Sequence, residues 1–247
     1  MKRKGVWVLV LAMGLAVPSV FAGTQTSDAR LQAELQDKIY HAHVFQHGQV
    51  AVNYENGTAT LTGTVDNLGS KMDAERAARK VGGVTQVVNN IQVKADNVTL
   101  PQMLEQARKE VVTYYAYGIF DNVELAAEGD KLTVSGQVTQ PFKKSDLGNI
   151  LARVRGVASF ENNLEVLPLS NFDDRLRLSV ARAIYGNQAL LMYGNRALPP
   201  IHIIVKNGNV TLEGAVGTKL DRQLAEFAAR SAGLSFSVVN KLRVDHA

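Results

Sequence analysis

Histidine is the residue type whose spacing in this chain first suggests metal chemistry. His41, His43 and His47 lie close together, and His43 and His47 are four residues apart, which aligns two ligands on one face of an α-helix. A zinc site needs at least about three protein ligands, and the sequence offers neither a cysteine nor an evident third ligand. We therefore predict a solvated loop for these histidines, with no metal site and no cofactor.

Motifs for nucleophilic catalysis and for phosphate cradling are also missing from the sequence. There is no Gly-x-Ser-x-Gly elbow, no Ser-x-x-Lys pair and no cysteine nucleophile. No glycine-rich phosphate loop precedes a helix, because the recurrent glycines stand about 20 residues apart. We therefore predict that the protein is not an enzyme.

What recurs instead is a hairpin that contains a glycine and is present three times. The copies are residues 56–65, 128–138 and 207–216, and each begins with a turn signal of the Asn-Gly or Gly-Asp kind before alternating apolar and polar residues. A glycine inside a strand marks a bulge or a close approach of another backbone, so these glycines are predicted to be structural. They are Gly63, Gly136 and Gly214.

A second set of landmarks follows each hairpin in the same order. A loop glycine stands 19 or 20 residues after the strand glycine, and an asparagine stands seven residues after the loop glycine. The pairs are Gly83 with Asn90, Gly156 with Asn163, and Gly233 with Asn240. A period of about 75 residues indicates tandem small domains, because solenoid repeats are only about 20–50 residues long.

The order helix, hairpin, helix, strand, with the pattern Gly…Val-x-Gly-Val…Val-x-Asn-x-Ile/Leu-x-Val, resembles the BON domain over nearly the whole chain beyond residue 22. The resemblance implies an α+β fold of three tandem αββαβ domains. Each would be a three-stranded mixed sheet with two helices on one face. It also implies a non-enzymatic envelope protein of Gram-negative bacteria, linked to phospholipid binding and to osmotic or envelope stress.

The repeats divide the chain into a leader and three domains. We assign a signal peptide to residues 1–22, and domains to residues 23–97, 98–169 and 170–247. The linkers are short, so neighbouring domains are expected to be in contact. Because strand–helix–strand connections are almost always right-handed, the last strand of each domain should run parallel to the second strand of its hairpin.

Helix ends and buried faces can be read from the same pattern. Ser27, Thr99 and Asn171 are the expected N-caps of the first helix in each domain. In the second helices, Met72 of the first domain and Phe227 of the third are expected to face the core.

The leader has the features of a cleavable export signal. Lys2, Arg3 and Lys4 precede an apolar run, and Ala22 ends a segment that a signal peptidase can read, so cleavage before Gly23 is expected. Without any cysteine the protein cannot carry the lipid anchor of a lipoprotein. We predict an unlipidated periplasmic protein.

The charge balance argues against nucleic-acid binding and distinguishes the third domain. The chain carries 27 basic and 23 acidic residues, and three of the basic residues belong to the leader. Residues 172–247 carry 10 basic and 6 acidic residues, whereas acidic residues outnumber basic ones in both earlier domains.

The third domain also has an apolar insertion, residues 189–196, between its first helix and its hairpin. From Ile184 to Gly214 is 30 residues, whereas the matching distances in the first two domains are 24 and 25 residues. Arginines next to this insertion would suit an anionic phospholipid or membrane surface, with charges at the headgroups and apolar side chains below them. The predicted contact residues are Arg175, Arg182, Leu190, Leu191, Met192, Tyr193 and Arg196.

Two other interpretations stay open. The insertion can pack against the neighbouring domain, which would leave the arginines solvated. The protein can also be an interaction or chaperone-like module that holds client or envelope proteins at sheet edges or apolar loops. Salt separates lipid from client binding, because attraction to anionic lipid is screened over about 8–10 Å at physiological ionic strength.

Overall fold

The computed structural model describes residues 21–233 and 235–245. The leader therefore lies outside the described residues, except for Phe21 and Ala22. These two residues lie in the first helix, α1 (Phe21–His41). Ser27 is inside this helix, so the prediction that it caps the helix start is wrong.

Three units follow one another along the chain, each with its own sheet. Unit 1 contains α1, a 3-10 turn (Val44–His47), β1 (Gly48–Glu55), β2 (Thr58–Val65), α2 (Leu68–Arg79), β3 (Gln86–Asn89) and β4 (Gln92–Val93). Unit 2 contains α3 (Leu100–Thr113), β5 (Asn122–Glu128), β6 (Lys131–Val138), α4 (Pro141–Leu151) and β7 (Ser159–Val166). Unit 3 contains α5 (Asn171–Tyr185), α6 (Leu191–Gly194), β8 (Ile201–Lys206), β9 (Asn209–Val216), α7 (Lys219–Ser231), β10 (Ser237–Asn240) and β11 (Arg243–Val244).

Each sheet is mixed, as predicted. The second hairpin strand lies in the middle, antiparallel to the first and parallel to the last strand. The parallel pairing has the same offset of 28 residues in each unit, as in Thr58 with Gln86, Lys131 with Ser159 and Asn209 with Ser237. In units 1 and 3 the last strand is split into two short pieces that keep this register, whereas β7 is continuous.

The two long helices of each unit cover one face of its sheet and enclose a separate apolar core. The helices pair as α1 with α2, α3 with α4, and α5 with α7. Fully buried members of the three cores include Leu35, Leu61 and Ile91, then Leu132, Leu147 and Leu164, then Leu176, Ile184 and Leu212. The α+β fold class predicted from the sequence is confirmed.

The strand glycines lie where the facing strand leaves no room for a side chain. A Cβ atom on Gly63, Gly136 or Gly214 would lie 2.0–2.2 Å from a carbonyl oxygen of the first hairpin strand or the residue before it. Their φ angles are 124°, 112° and 105°, which residues with a Cβ rarely adopt. The loop glycines Gly83, Gly156 and Gly233 also have positive φ, of 98°, 93° and 66°.

An asparagine ties the last strand of each unit to its second helix, but two of the three predicted positions are off by one. The equivalent residues are Asn89, Asn162 and Asn240, whereas Asn90 and Asn163 are exposed. The Nδ2 atoms donate to backbone oxygens of Lys71 at 3.0 Å, Lys144 at 2.9 Å and Arg222 at 2.8 Å, respectively. Strand pairing sets these positions, and unit 3 has one more residue between its loop glycine and its strand.

The other predicted helix features are partly right. Thr99 forms a reciprocal capping box with Gln102, as expected for this N-cap. The cap of α5 is Ser170 rather than Asn171, because the Ser170 hydroxyl accepts from the Asp173 N–H. Met72 is 43% exposed and Phe227 is 70% exposed, so the prediction that they face the core is wrong.

Units 1 and 2 are joined by backbone hydrogen bonds at the start of α2. Leu68 N–H donates to Val157 O at 2.8 Å, and Gly69 N–H donates to Ala152 O at 2.7 Å. The Leu68 side chain packs against the core of unit 2. The Arg153 Nη1 atom lies 2.5 Å from Asp73 Oδ2 and adds an ion pair across the same boundary.

Units 2 and 3 meet differently, at the strand β8. Ile203 N–H donates to Ile119 O at 2.7 Å, and Phe120 packs against the core of unit 3. The Lys206 Nζ atom lies 2.5 Å from Glu165 Oε1. The short linkers are thus accompanied by direct contacts between neighbouring units.

Candidate functional site

The insertion of unit 3 divides into a buried and an exposed half. Leu190 and Tyr193 are 0% and 2% exposed and belong to the core of unit 3. They cannot contact lipid or a partner in this conformation, so including them among the contact residues is wrong. Leu191 and Met192 are 49% and 60% exposed. The insertion therefore completes the core of unit 3 with one half, and its other half exposes two apolar side chains to solvent.

The Tyr193 hydroxyl fixes the insertion against the start of α7. It donates to Asp221 Oδ2 at 2.8 Å and accepts from Gly217 N–H at 2.7 Å. Burial raises the pKa of Tyr193, so the hydroxyl remains a donor at neutral pH. Because Leu191 and Met192 adjoin Tyr193, this bond holds their helix, α6, beside the first turn of α7.

The helix α7 contributes two more exposed apolar side chains. Leu220 is 61% exposed and Phe227 is 70% exposed, and their spacing of seven residues places them on one helix face. Sequence reasoning assigned Phe227 to the core because its position matched an apolar stripe. The core face of α7 is formed instead by alanines, which allow the helix to approach α5 closely, and these are Ala225, Ala228 and Ala229.

We call Leu191, Met192, Leu220 and Phe227 the α6–α7 surface. The fold does not require an aromatic residue at Phe227, because the matching positions, counted from the helix N-caps, are Arg76 in α2 and Asn149 in α4. Arg76 is paired with Asp73 at 2.7 Å, as expected of a solvated helix face. Phe227 is therefore a feature of unit 3 rather than of the repeated architecture.

Within the described residues, the basic side chains of unit 3 fall into a paired and an unpaired group. Four of its basic residues are paired with carboxylates: Arg177 with Asp174, Lys206 with Glu165, Arg230 with Glu226, and Lys241 with Glu213. The other six are exposed and form no ion pair within residues 21–233 and 235–245. They are Arg175, Arg182, Arg196, Lys219, Arg222 and Arg243.

The arginines predicted as contact residues lie on α5 and in the bend that follows α6. Arg175 and Arg182 are exposed on α5, on either side of Leu178, which is 48% exposed. The Arg196 guanidinium carbon lies 5.7 Å from the centroid of the Tyr193 ring, within the range of a cation–π contact. The exposed arginines and the exposed half of the insertion thus belong to the helical side of unit 3.

The histidines considered for metal binding do not share an α-helical face. His43 has a left-handed φ of 58° and precedes the 3-10 turn that contains His47, so the four-residue spacing does not align the two rings. The His47 Nδ1 atom lies 3.1 Å from Asp66 Oδ1. Within the described residues, no three acidic or histidine side chains are grouped to hold a metal ion.

The arrangement in unit 3 suits contact with a surface. Exposed apolar side chains next to unpaired cations can enter an anionic interface from one side. No helix in the described part of the chain is long and apolar enough to cross a bilayer.

Comparison with known proteins identifies the family. Residues 27–95 and 187–246 match the BON domain. An "Uncharacterized protein in gshII 5'region" from Anaplasma centrale is 41% identical over 63 residues, which are 24% of this chain and 42% of that protein's length. The second unit lies outside the family match but repeats the same element order and strand register.

Among solved structures, similarity is found to CdsD, a structural protein of the type III secretion system of Chlamydia trachomatis. The identity is 16% and the TM-score is 0.26, over 86% of this chain and 93% of that one. A structure of the CdsD C-terminal domain gives 16% identity and a TM-score of 0.22, over 86% and 98%. These scores are too low to support a functional comparison. The two segments that match the BON domain cover more than half of the sequence, and the chain therefore belongs to the BON domain family.

Proposed function

We propose that this protein is a non-enzymatic periplasmic component of the cell envelope whose third unit binds anionic phospholipid surfaces and supports tolerance of osmotic or envelope stress. The BON domain family is associated with membrane and phospholipid binding and is generally non-enzymatic. The proposal assigns the contact to the α6–α7 surface together with Arg175, Arg182 and Arg196.

The observation that carries the proposal is the combination of exposed apolar side chains with unpaired cations in unit 3. Near an anionic membrane each basic residue contributes about 1 kcal/mol to binding, and this contribution falls off within a Debye length. Burying exposed apolar area adds about 25 cal/mol per Å². The two terms together favour a reversible, salt-sensitive attachment of unit 3 to the surface.

The domain limits and the export route belong to the same proposal. Limits at residues 97/98 and 169/170 are supported by the caps Thr99 and Ser170, which start the first helices of units 2 and 3. Cleavage after Ala22 would release the mature protein into the periplasm. The intact mass of the exported protein tests this step, and a product that retains residues 1–22 would contradict it.

Co-sedimentation with vesicles tests the lipid proposal. We expect the protein to bind vesicles that contain phosphatidylglycerol, and to bind pure phosphatidylcholine vesicles far more weakly. The double variant Met192→Ser and Phe227→Ser should bind several-fold more weakly with an unchanged melting temperature, because both side chains are exposed.

The matched control changes the same kinds of exposed residue outside unit 3. Met72 and Phe142 are 43% and 47% exposed, in units 1 and 2. Met72→Ser with Phe142→Ser should leave vesicle binding unchanged. Equal losses in the two double variants would show that unit 3 is not the binding unit.

The alternative, in which apolar surfaces hold client proteins, predicts a different dependence on salt. Binding to anionic vesicles should weaken steeply between low and high ionic strength, because exposed charges are screened. Binding that persists unchanged at high salt, and that is as strong with phosphatidylcholine, would favour the client-holding function instead.

A further inference from the structure

The second helix of each unit begins at an equivalent place, so the units can be compared residue by residue. The N-caps of α2, α4 and α7 are Asn67, Gln140 and Thr218. The contacts of the strand asparagines agree with this alignment, because Lys71, Lys144 and Arg222 each stand four residues after their N-cap. Positions along these helices can therefore be matched without reference to any other protein.

In unit 1 the start of this helix is a contact surface. Leu68, the first residue of α2, packs against the core of unit 2, and its N–H bonds to Val157. Gly69 allows the close approach, because a Cβ there would lie 2.5 Å from Arg153 Cγ. In unit 1 the first turn of the second helix thus binds the neighbouring unit.

In unit 3 the matching surface is exposed and has a different chemistry. Lys219 stands where unit 1 has Leu68, and Leu220 stands where unit 1 has Gly69. Both side chains are exposed. A lysine and a bulky leucine cannot reproduce the close apolar packing seen between units 1 and 2, so this surface suits a different kind of partner.

Two more cations join Lys219 at this surface. Arg222 stands on the next turn of α7, and Arg243 lies on β11, paired in register with Ala215. The three cations line a cleft of about 700 Å³ between α7 and the last strand, which we call the α7–β11 cleft. None of them forms an ion pair within the described residues. The backbone oxygen of Asn240 accepts from Arg222 Nη2 at 3.3 Å and steadies that side chain.

The other units show that the fold does not require this charge. The positions of Lys219, Arg222 and Arg243 are occupied by Leu68, Lys71 and Gln92 in unit 1, and by Pro141, Lys144 and Glu165 in unit 2. Three cations in unit 3 thus correspond to one in unit 1, and to one cation with one carboxylate in unit 2.

One carboxylate, Glu226, also lines the cleft, but its charge is already compensated. The Arg230 guanidinium bonds to Glu226 Oε1 at 2.8 Å, and Asn240 Nδ2 lies 3.2 Å from Glu226 Oε2. The hydrogen bond from Arg230, with a second from Asn240, lowers the pKa of Glu226, so this ion pair persists at neutral pH. The cleft is therefore positive, and its chemistry fits an anion with several oxygen acceptors.

We infer that the α7–β11 cleft binds the phosphate group of an anionic lipid headgroup. Guanidinium groups match the geometry of phosphate oxygens, and a lysine adds a point charge. A lipid is favoured over a free phosphate because Leu220 and Phe227 of the same helix are exposed beside the cleft. The inference rests on the proposed membrane function and deepens it. It names the lipid phosphate as the group that is recognised, and Lys219, Arg222 and Arg243 as the residues that recognise it.

Neutralising the three cations tests the inference. The triple variant Lys219→Gln, Arg222→Gln and Arg243→Gln is titrated with phosphatidylglycerol vesicles. We expect an affinity loss of about 100-fold, since each cation near the surface contributes about fivefold. The control is Lys71→Gln, Lys80→Gln and Lys94→Gln, which makes the same change in charge in unit 1 and should cost less than about threefold.

The outcomes separate the two proposals. If the unchanged protein does not bind these vesicles at all, the membrane function itself is wrong. If it binds, and both triple variants lose the same affinity, then only the cleft is wrong and the attraction is general. Arg243→Gln alone, on a strand end, is a second measure should the triple variant fold poorly, and about a fivefold loss is expected.

A soluble phosphate distinguishes the two sources of the anion. Inorganic phosphate and glycerol 3-phosphate are added at millimolar concentration while binding is followed by the amide signals of residues 219–226. We expect weak, saturable binding that the triple variant lacks, and vesicle binding that persists in the presence of either anion. If either soluble anion binds more tightly than the vesicles, the ligand is a free phosphate compound and the lipid assignment is overturned.

Discussion

The imidazole ring of His202 lies 5.5 Å from the phenol ring of Tyr117, centroid to centroid, across the boundary between units 2 and 3. Both groups are largely buried, and burial raises the pKa of Tyr117 to about 12. The His202 Nδ1 atom has no hydrogen-bond partner within the described residues. We therefore expect this pair to make the contact between units 2 and 3 sensitive to acid.

We expect the contact to weaken as the pH falls below neutrality. Burial lowers the pKa of His202, although the nearby backbone of Asp121 and Gly118 and the carboxylates of Asp121 and Glu213 oppose the shift. The unfolded protein therefore binds the proton first, so the stability contributed by neutral His202 is present above its unfolded pKa and is lost as the pH falls below it.

Urea unfolding at pH 7.5 and pH 5.5 measures this effect. His202→Gln should flatten the difference between the two pH values, whereas His41→Gln, at an exposed position, should leave the difference unchanged. The same pH dependence in the unchanged protein and in His202→Gln would contradict the assignment.

Gly136→Ala should destabilise unit 2 by about 1–3 kcal/mol, because the residue has a φ of 112° and an added Cβ would lie 2.2 Å from Asn122 O. Gly118→Ala in the same unit is the matched control, since a Cβ added there would meet nothing within 4 Å. Thermal unfolding of both variants is the measurement. Equal melting temperatures would mean that the strand glycine has no structural role.

Asn162→Ala should cost about 1–3 kcal/mol, because the change removes two hydrogen bonds, one from the Leu164 N–H and one to the Lys144 carbonyl. Asn163→Ala should change stability by less than about 0.5 kcal/mol, since that side chain is exposed and its one bond among the described residues is to Glu161. Chemical denaturation of the two variants tests which asparagine ties strand to helix. A larger loss of stability in Asn163→Ala than in Asn162→Ala would support Asn163, the residue predicted from spacing alone.

Gly69→Val should loosen the joint between units 1 and 2. A Cβ at this position would lie 2.5 Å from Arg153 Cγ, and the branched side chain would also crowd Ala152 O. We expect faster amide exchange at Leu68 and Gly156, whose N–H groups bond across this boundary. Gly82→Val, at an open position, is the control, and unchanged exchange in both variants would show that the joint tolerates the side chain.

The features that could be predicted from the sequence are those set by local stereochemistry. Asn-Gly turns require positive φ at both residues, and Asn56 with Gly57 and Asn207 with Gly208 have φ angles between 48° and 84°. A helix that connects two strands of one sheet returns the chain to the edge where the first strand began, so the last strand runs parallel to the second hairpin strand. These local rules, repeated three times in order, were sufficient for the family, for the mixed sheets and for the strand glycines.

The features that required the tertiary structure depend on what each residue meets across the fold. Counting from the loop glycine selected Asn90 and Asn163, but strand pairing places Asn89 and Asn162 against the second helix. The insertion reads as uniformly apolar, yet only its exposed half, Leu191 and Met192, is free to meet a partner, because the core of unit 3 takes up the other half.

Phe227 is the opposite case, because its side chain was predicted to be buried and is exposed. Alanines can form the buried face of a helix when a second helix lies close to it. The close approach of α5 and α7 is shown by Ser179 Oγ, which donates to Ala232 O at 3.1 Å. The sequence by itself determined the repeated architecture, because turns, glycines and strand alternation act over a few residues. Only the tertiary structure decided which apolar and basic side chains remain exposed on unit 3, because exposure depends on the packing of elements distant in the chain.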